Sequence, residues 1–391
     1  MNLPLNPSML FPVVAQSVSR LPTVGILSTH PPTQCGLATF SLALADGLRA
    51  CGVEIKIVRI ADGMTCDDSR VIGELVNGDA ASLTATANRL NDVDLVIIQH
   101  EYGIYGGDDG DEILDVIAGL TVPTIVILHT VLMRPTRHQR SVLEALVAAA
   151  SQVVVISDAA RVRLENGYDV DCRKISTIPH GATVVAASQV KRSGRPTLLT
   201  WGLLGPGKGI ERVIDAMPAL RSLPGRPRYV IAGRTHPKVL ADSGDVYRQQ
   251  RIEQAIRLQV SDAVVFDPGY LGATALTALI QSSAAVVLPY DSTEQVSSGV
   301  LVDALAHGRP VVATAFPQAV ELLSCGAGIA VPHDDPGAMA AALRAVLTDP
   351  RLAGSMAAAA RQLAPSLAWP LIAARYLVLA QRLLAGRKSL V

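Results

Sequence analysis

Short apolar runs and longer amphipathic stretches alternate along most of this chain of 391 residues. In the first half, runs rich in Val, Ile and Leu predict strands at residues 23–28, 54–60, 95–99, 124–128, 152–156 and 175–178. Between them the apolar residues recur at helical spacing, which predicts helices over 36–50, 82–90, 109–118, 139–149 and 159–166. Strand, helix, strand repeated in this way requires right-handed crossovers and a parallel sheet. The polar stretch 187–195 carries Gly194 and is followed by Pro196, so it reads as a linker. The pattern then restarts, with strands at 197–202, 228–232, 263–266, 285–289, 310–313 and 328–331. Helices are predicted at 210–220, 246–258, 273–282, 299–306, 317–323 and 336–347. A last amphipathic helix at 369–384 stands apart from both patterns and is a candidate to fold back on the first.

The expected organisation is therefore a leader at 1–20, an α/β domain at 21–186, the linker at 187–195, a second α/β domain at 196–365 and a closing helical segment at 366–391. Two doubly wound Rossmann-like domains joined in this way leave a cleft facing the carboxyl ends of both sheets, where open α/β sheets bind ligands. Composition supports this reading. Apolar residues make up 49% of the chain and aromatics only 4%, so the core must be built from Ala, Val, Leu and Ile, as buried parallel strands require. The 34 basic and 34 acidic side chains cancel, which removes the general field a nucleic-acid binder would need. Five scattered cysteines without a CxxC pair predict reduced thiols, a cytoplasmic setting and no metal centre. No apolar run reaches the length of a membrane-spanning helix, and the leader lacks the basic start of a signal peptide. Peripheral contact with a membrane stays open.

Two segments of the second half carry chemistry. The strand at 197–202 runs into Gly202-Leu203-Leu204-Gly205-Pro206-Gly207-Lys208-Gly209, and a helix follows at once. Glycines let a backbone approach an anion, a helix start offers unpaired N–H groups, and Lys208 adds a full charge. The spacing is not that of a Walker loop. The second segment runs from Pro289 through Glu294, Gln295, Ser298, Gly299 and Val300 to Asp303, with Gly308-Arg309-Pro310-Val311-Val312 beyond. Here a polar loop opens a helix that carries an acid one turn inside, a pattern suited to phosphate at the helix start and sugar hydroxyls on the carboxylates. Ser298 as a simple cap and Asp303 on a solvated face are the plain alternative.

Together these segments resemble the retaining GT-B glycosyltransferases called group 1, or family four, over essentially residues 21–365. The resemblance aligns Asp303 with the second glutamate of that family's acidic pair. Its first glutamate falls on Gln295, with Glu294 beside it, and the pattern EQxxSG resembles a bacterial subgroup. It implies a GT-B architecture and transfer of a hexose from a nucleotide diphosphate sugar with retention of configuration. Catalytic roles fall on His129, Lys208 and Glu294, and donor contacts on Gly36, Gly202, Gly207, Gln295, Ser298, Gly299, Val300 and Asp303. His129-Thr130 matches a histidine that contacts the donor sugar, and Gly36 matches a glycine loop reaching across the cleft. Leu203 stands where the family carries an arginine beside the lysine, leaving Arg234 or Arg309 to compensate.

His100 and Glu101 end one predicted strand, and His129 ends the next, so all are candidates to reach sugar or acceptor. Arg134, Arg137, His138 and Arg140 form a basic cluster, either for an acidic acceptor or as a solvated helix start. His180-Gly181 reads as a turn near the hinge. No cofactor and no metal are expected, only the nucleotide-sugar donor and a glycan, lipid or small-molecule acceptor. A phosphorylase or nucleotide-sugar epimerase of the same architecture is the alternative enzyme, and a non-catalytic sugar-nucleotide binder the alternative class.

Overall fold

The computed structural model describes residues 21–185 and 194–388. The leader at 1–20 and most of the expected linker lie outside the described residues. In the first domain the order is β1 (Thr23–Ser28), α1 (Gly36–Ala50), β2 (Glu54–Ile60), β3 (Val71–Leu75), α2 (Ala80–Leu90), β4 (Leu95–His100) and α3 (Ile113–Ala118). It continues with β5 (Thr124–Leu128), α4 (Arg137–Ala149), β6 (Gln152–Val155), α5 (Asp158–Gly167) and β7 (Ile175–Thr177). The sheet is parallel in the order β3-β2-β1-β4-β5-β6-β7. Its central strands are buried on both faces, which is why they read as unbroken Val/Ile/Leu runs.

The second domain runs β8 (Thr197–Trp201), α6 (Ile210–Leu220), β9 (Arg228–Ala232), α7 (Pro237–Ser243), α8 (Val246–Arg257), β10 (Val264–Asp267), α9 (Ala273–Ser282) and β11 (Ala285–Leu288). Then come α10 (Gly299–Ala306), β12 (Val311–Thr314), α11 (Pro317–Leu323), β13 (Gly328–Val331), α12 (Pro336–Thr348) and α13 (Pro350–Leu363). Its parallel sheet has the order β10-β9-β8-β11-β12-β13. In both sheets the winding reverses beside the first strand, between β1 and β4 and between β8 and β11. Loops that leave those strands diverge and open the ligand crevice of a doubly wound fold.

The last helix, α14 (Trp369–Lys388), follows the second domain but seals the first. Ile372, Ala373, Tyr376 and Ala380 join Phe40, Leu44, Leu48 and the outer face of β1, β2 and β4 in one apolar cluster. Gly47 permits the approach to α1, because a Cβ there would stand 2.7 Å from that of Ala373. The crossing strap is pinned by Ala182 N donating to Leu367 O (2.8 Å) and by Trp369 N donating to Ala182 O (3.2 Å).

Four elements differ from the sequence reading. The helix expected at 109–118 begins only at Ile113, after a 3-10 turn at Asp108–Gly110. Gly107, Asp109 and Gly110 all have positive φ there, which breaks a right-handed helix. β3 was unforeseen: it is an edge strand whose burial alternates, so it lacks an apolar run. The helices α7 and α13 were likewise unforeseen; both start at a proline, the position where a missing N–H costs nothing.

Candidate functional site

The turn after β8 is built on backbone conformations that favour glycine. After β8, Gly202 (φ +123°), Gly207 (φ +87°) and Gly209 (φ +63°) lead directly into α6. A Cβ on Gly209 would lie 1.8 Å from Pro289 O, and Asp291 N donates to Gly207 O at 3.0 Å. The turn after β8 and the loop after β11 are thus one unit at the switch point. Lys208 extends over the Tyr290 ring with its Nζ 4.7 Å from the centroid, a cation–π seat that holds the ammonium at the turn. Arg212 fixes the same loop from behind, donating to Asp291 Oδ1 (3.0 Å) and His333 O (2.5 Å).

The start of α10 closes the other side. Ser298 is 5% exposed and its Oγ accepts from Leu301 N at 3.3 Å, so the helix is capped by its own serine. Val300 touches the turn, with its Cγ2 4.0 Å from where a Gly202 Cβ would be. Asp303 is half-buried one turn inside, and loss of water around its carboxyl pushes its pKa up to about 7. Among the described residues no hydrogen bond engages that carboxyl.

From the first domain, His129 leaves β5 with its Nε2 2.9 Å from Gln99 Oε1. Burial, with the neighbouring His180 and His100, lowers its pKa to about 3, so the ring is neutral at pH 7. Phe40 meets the His129, His180 and Trp369 rings edge-on, with centroids 4.9, 5.0 and 5.0 Å away. His180 Nδ1 donates to Gly181 O at 2.6 Å, which leaves Nε2 with a lone pair. That Nε2 lies 3.0 Å from the Cβ position of Gly299, against the first residue of α10. His180 therefore shares the Phe40 ring with His129 and lies against the helix start, contacts the turn reading did not anticipate.

The loop before α10 crosses into the first domain. Val296 is 4% exposed and sits in the cluster formed by β4, β5, β6 and α5. Ser157 Oγ donates to Val296 O (2.8 Å), and Arg163 Nη1 donates to both Glu294 O (2.6 Å) and Val131 O (2.8 Å). Glu294 Oε2 accepts from Met133 N at 3.1 Å, while Gln295 Nε2 folds back on Ser297 O at 2.8 Å. Glu321 completes the seam by accepting from Ala159 N (3.1 Å) at the start of α5. The acidic segment thus spends its leading side chains on domain contact and on its own loop. Ser157, Arg163, Val296 and Glu321 were missed, since no local spacing reports a contact made by tertiary folding.

Some expected residues are placed elsewhere. His100 is 0% exposed, both ring nitrogens lack partners, and burial lowers its pKa to about 4. Its ring is enclosed against Tyr102 rather than open to sugar or acceptor, a correction to the reading of that strand end. Glu101 is half-buried and accepts from Thr130 Oγ1 (2.5 Å) and Tyr102 N (3.1 Å), with burial raising its pKa. Gly36 opens α1 with nothing within 4 Å of its Cβ position, and Cys35 rather than a hydroxyl caps the helix. The basic cluster is largely committed to the fold. His138 contacts Asp109 (3.1 Å), Arg140 contacts Glu144 (3.3 Å), and only Arg134 and Arg137 stand exposed without such ties among the described residues. Arg309 cannot supply the missing arginine: it lies at the entry to β12, the opposite end of the sheet from the crevice, and donates to Gln281 O and Ser283 O.

Comparison with known proteins bears on the fold that carries this site. Residues 195–349 match the family model described as glycosyl transferases group 1. A glycosyltransferase from Rickettsia africae superposes with a TM-score of 0.74 at 14% identity, covering 93% of this chain and 98% of that one. Anabaena HepE in complex with UDP and glucose superposes with a TM-score of 0.72 at 17% identity, covering 94% and 100%. The fold is GT-B. Glycogen synthase of Mycobacterium tuberculosis is 30% identical over 233 residues, 58% of this chain and 53% of the relative. The chain thus spans about half the length of the curated relatives it matches. No helix among the described residues is long and apolar enough to cross a membrane.

Proposed function

We propose that this protein is a retaining glycosyltransferase that moves a hexose from a nucleotide diphosphate sugar to an acceptor hydroxyl. One observation carries the reading: the glycine turn with Lys208 and the capped start of α10 meet at the switch point, and His180, packed on Phe40 beside His129 of the facing domain, lies against that helix start. A diphosphate fits the first pair, a cation and unpaired N–H groups. A sugar carried on it would extend toward the second.

In this reading Lys208 and the N–H groups of Gly299 and Val300 stabilise charge on the departing diphosphate, which is electrostatic preorganisation. The C1–O bond to the diphosphate breaks while the acceptor oxygen bonds C1 on the same face. The acceptor proton passes to the leaving phosphate oxygen. His129, held neutral by burial, orients the sugar through a hydrogen bond rather than as a cation. Asp303 accepts from the donor's ribose hydroxyls. Glu294 enters through the seam that closes the cleft. The reading assigns no metal and no organic cofactor to the step. The acceptor class is a glycan, lipid or small-molecule hydroxyl, and five free thiols accord with a cytoplasmic setting.

The test is a panel of UDP-, GDP- and ADP-hexoses with mixed acceptors, followed by NMR of the product's anomeric carbon. Transfer with the donor's configuration kept is expected. Inversion would overturn the retaining step, and turnover only with orthophosphate and glycan would make the protein a phosphorylase.

A further inference from the structure

Arginines around the second domain's crevice are mostly paired. Arg212 is bound to Asp291 (3.0 Å), Arg248 to Asp245 (3.2 Å) and Arg251 to Glu211 (3.1 Å). Arg234 is not. It is half-buried, its Nε is shut off from water without a partner, and no hydrogen bond or ion pair among the described residues engages its guanidinium. A half-enclosed guanidinium with no counter-charge is costly unless an anion completes it.

The register says where that anion would be. β8 and β9 pair Thr197 with Arg228 through Trp201 with Ala232, and the bridge between Leu204 and Thr235 keeps the same offset. Leu203 therefore stands directly beside Arg234, at the ~4.8 Å spacing of adjacent strands. Side chains alternate along both strands, and each parity has a known destination. Leu198, Leu204, Tyr229 and Ile231 enter the cluster with α6, and Thr235 on that parity donates to Asp245. Leu199, Trp201, Val230 and Ala232 enter the cluster with α10. By the same alternation Leu203 and Arg234 fall on the second parity, which assigns them to the side of the α10 start. His236, two residues on, feels the charges of both Lys208 and Lys238 and packs against Gly205, so this short segment lies along the glycine turn.

We infer that Arg234 is the second cation of the diphosphate site, supplied by the register neighbour of Leu203 and acting with Lys208 on the same anion. This rests on the nucleotide-sugar reading above and names the part of the ligand that Arg234 holds. A planar guanidinium suits phosphate oxygens bidentately, which the point charge of Lys208 does not.

The experiment is calorimetry of the full chain with UDP, GDP and ADP, and with the matching bare nucleosides. Arg234→Ala should weaken the preferred diphosphate by about tenfold or more while leaving the nucleoside unchanged. Arg234→Gln, which keeps the bulk, should behave alike and controls for folding. Leu203→Arg placed in the Arg234→Ala background should restore most of the lost affinity. An Arg234→Ala protein within about twofold of the parent, equal weakening toward nucleoside and diphosphate, or no rescue by Leu203→Arg would each overturn the inference. A parent protein that binds no nucleotide would instead sink the nucleotide-sugar reading itself.

Discussion

Glu294 Oε2 accepts the backbone N–H of Met133 at 3.1 Å, so a carboxylate of the second domain is tied to the loop after β5 of the first. Arg163 reinforces the tie by donating to Glu294 O and Val131 O together. Removing the guanidinium leaves the carbonyls of buried Val131 and half-buried Glu294 without this donor, a loss of about 1–3 kcal/mol from the closed arrangement. Arg163→Ala should therefore raise the radius of gyration in small-angle scattering and raise KM for the donor. Glu294→Gln retains an acceptor oxygen and should keep most of the closure. Equal scattering curves for parent and Arg163→Ala would show that the seam does not hold the domains together.

His129 and Lys208 should separate in their kinetics. His129→Ala removes a group expected to touch the sugar alone, so kcat should fall by about a hundredfold or more with diphosphate affinity kept. Lys208→Ala should lower both. Because burial holds the His129 ring at about 3, the pH profile of kcat should show no limb from this residue between pH 5 and 8. A His129→Ala protein with parental turnover would remove this residue from the reaction.

The same burial that makes the strands legible hides the seam. Central strands are enclosed on both faces, so β1, β4, β5, β8 and β11 stand out as apolar runs. The edge strand β3, half exposed and carrying Gly73, has no such run. The glycine turn and the Ser298 cap are local chemistry, visible within a few residues of sequence. Ser157 to Val296 spans 139 positions and Ala159 to Glu321 spans 162, and no periodicity connects them. Arg234 lies between these cases. Its neighbourhood to Leu203 follows from strand register, which a single sequence does not state.

Gly209 and Gly36 make a contrasting pair. Gly209 has φ +63° and no room for a Cβ beside Pro289 O, whereas Gly36 has open space. Gly209→Ala should cost at least the ~1–2 kcal/mol of a left-handed residue, with the displaced Pro289 adding to it. Gly36→Ala should stay within about 0.5 kcal/mol in thermal melting. A Gly209→Ala protein that melts with the parent would show that the turn relaxes freely, against its role as a rigid cradle.

Asp303 gives the site a proton signature. In the folded protein it keeps its proton up to about pH 7, while an unfolded aspartate releases it near ~3.9. The folded state therefore binds the extra proton between those values, and stability from this group declines as pH rises through that window. Ribose hydroxyls donating to Asp303 would favour the carboxylate and lower its pKa. Diphosphate binding near pH 6.5 should then release a proton, seen as a dependence of calorimetric heat on the buffer's ionisation enthalpy. Asp303→Asn should cut that dependence back to what the nucleotide's own terminal phosphate contributes, and remove the decline in stability between about pH 4 and 7. Binding heats independent of buffer in the parent protein would mean that Asp303 does not change protonation on meeting the nucleotide, and would take the ribose contact away from it.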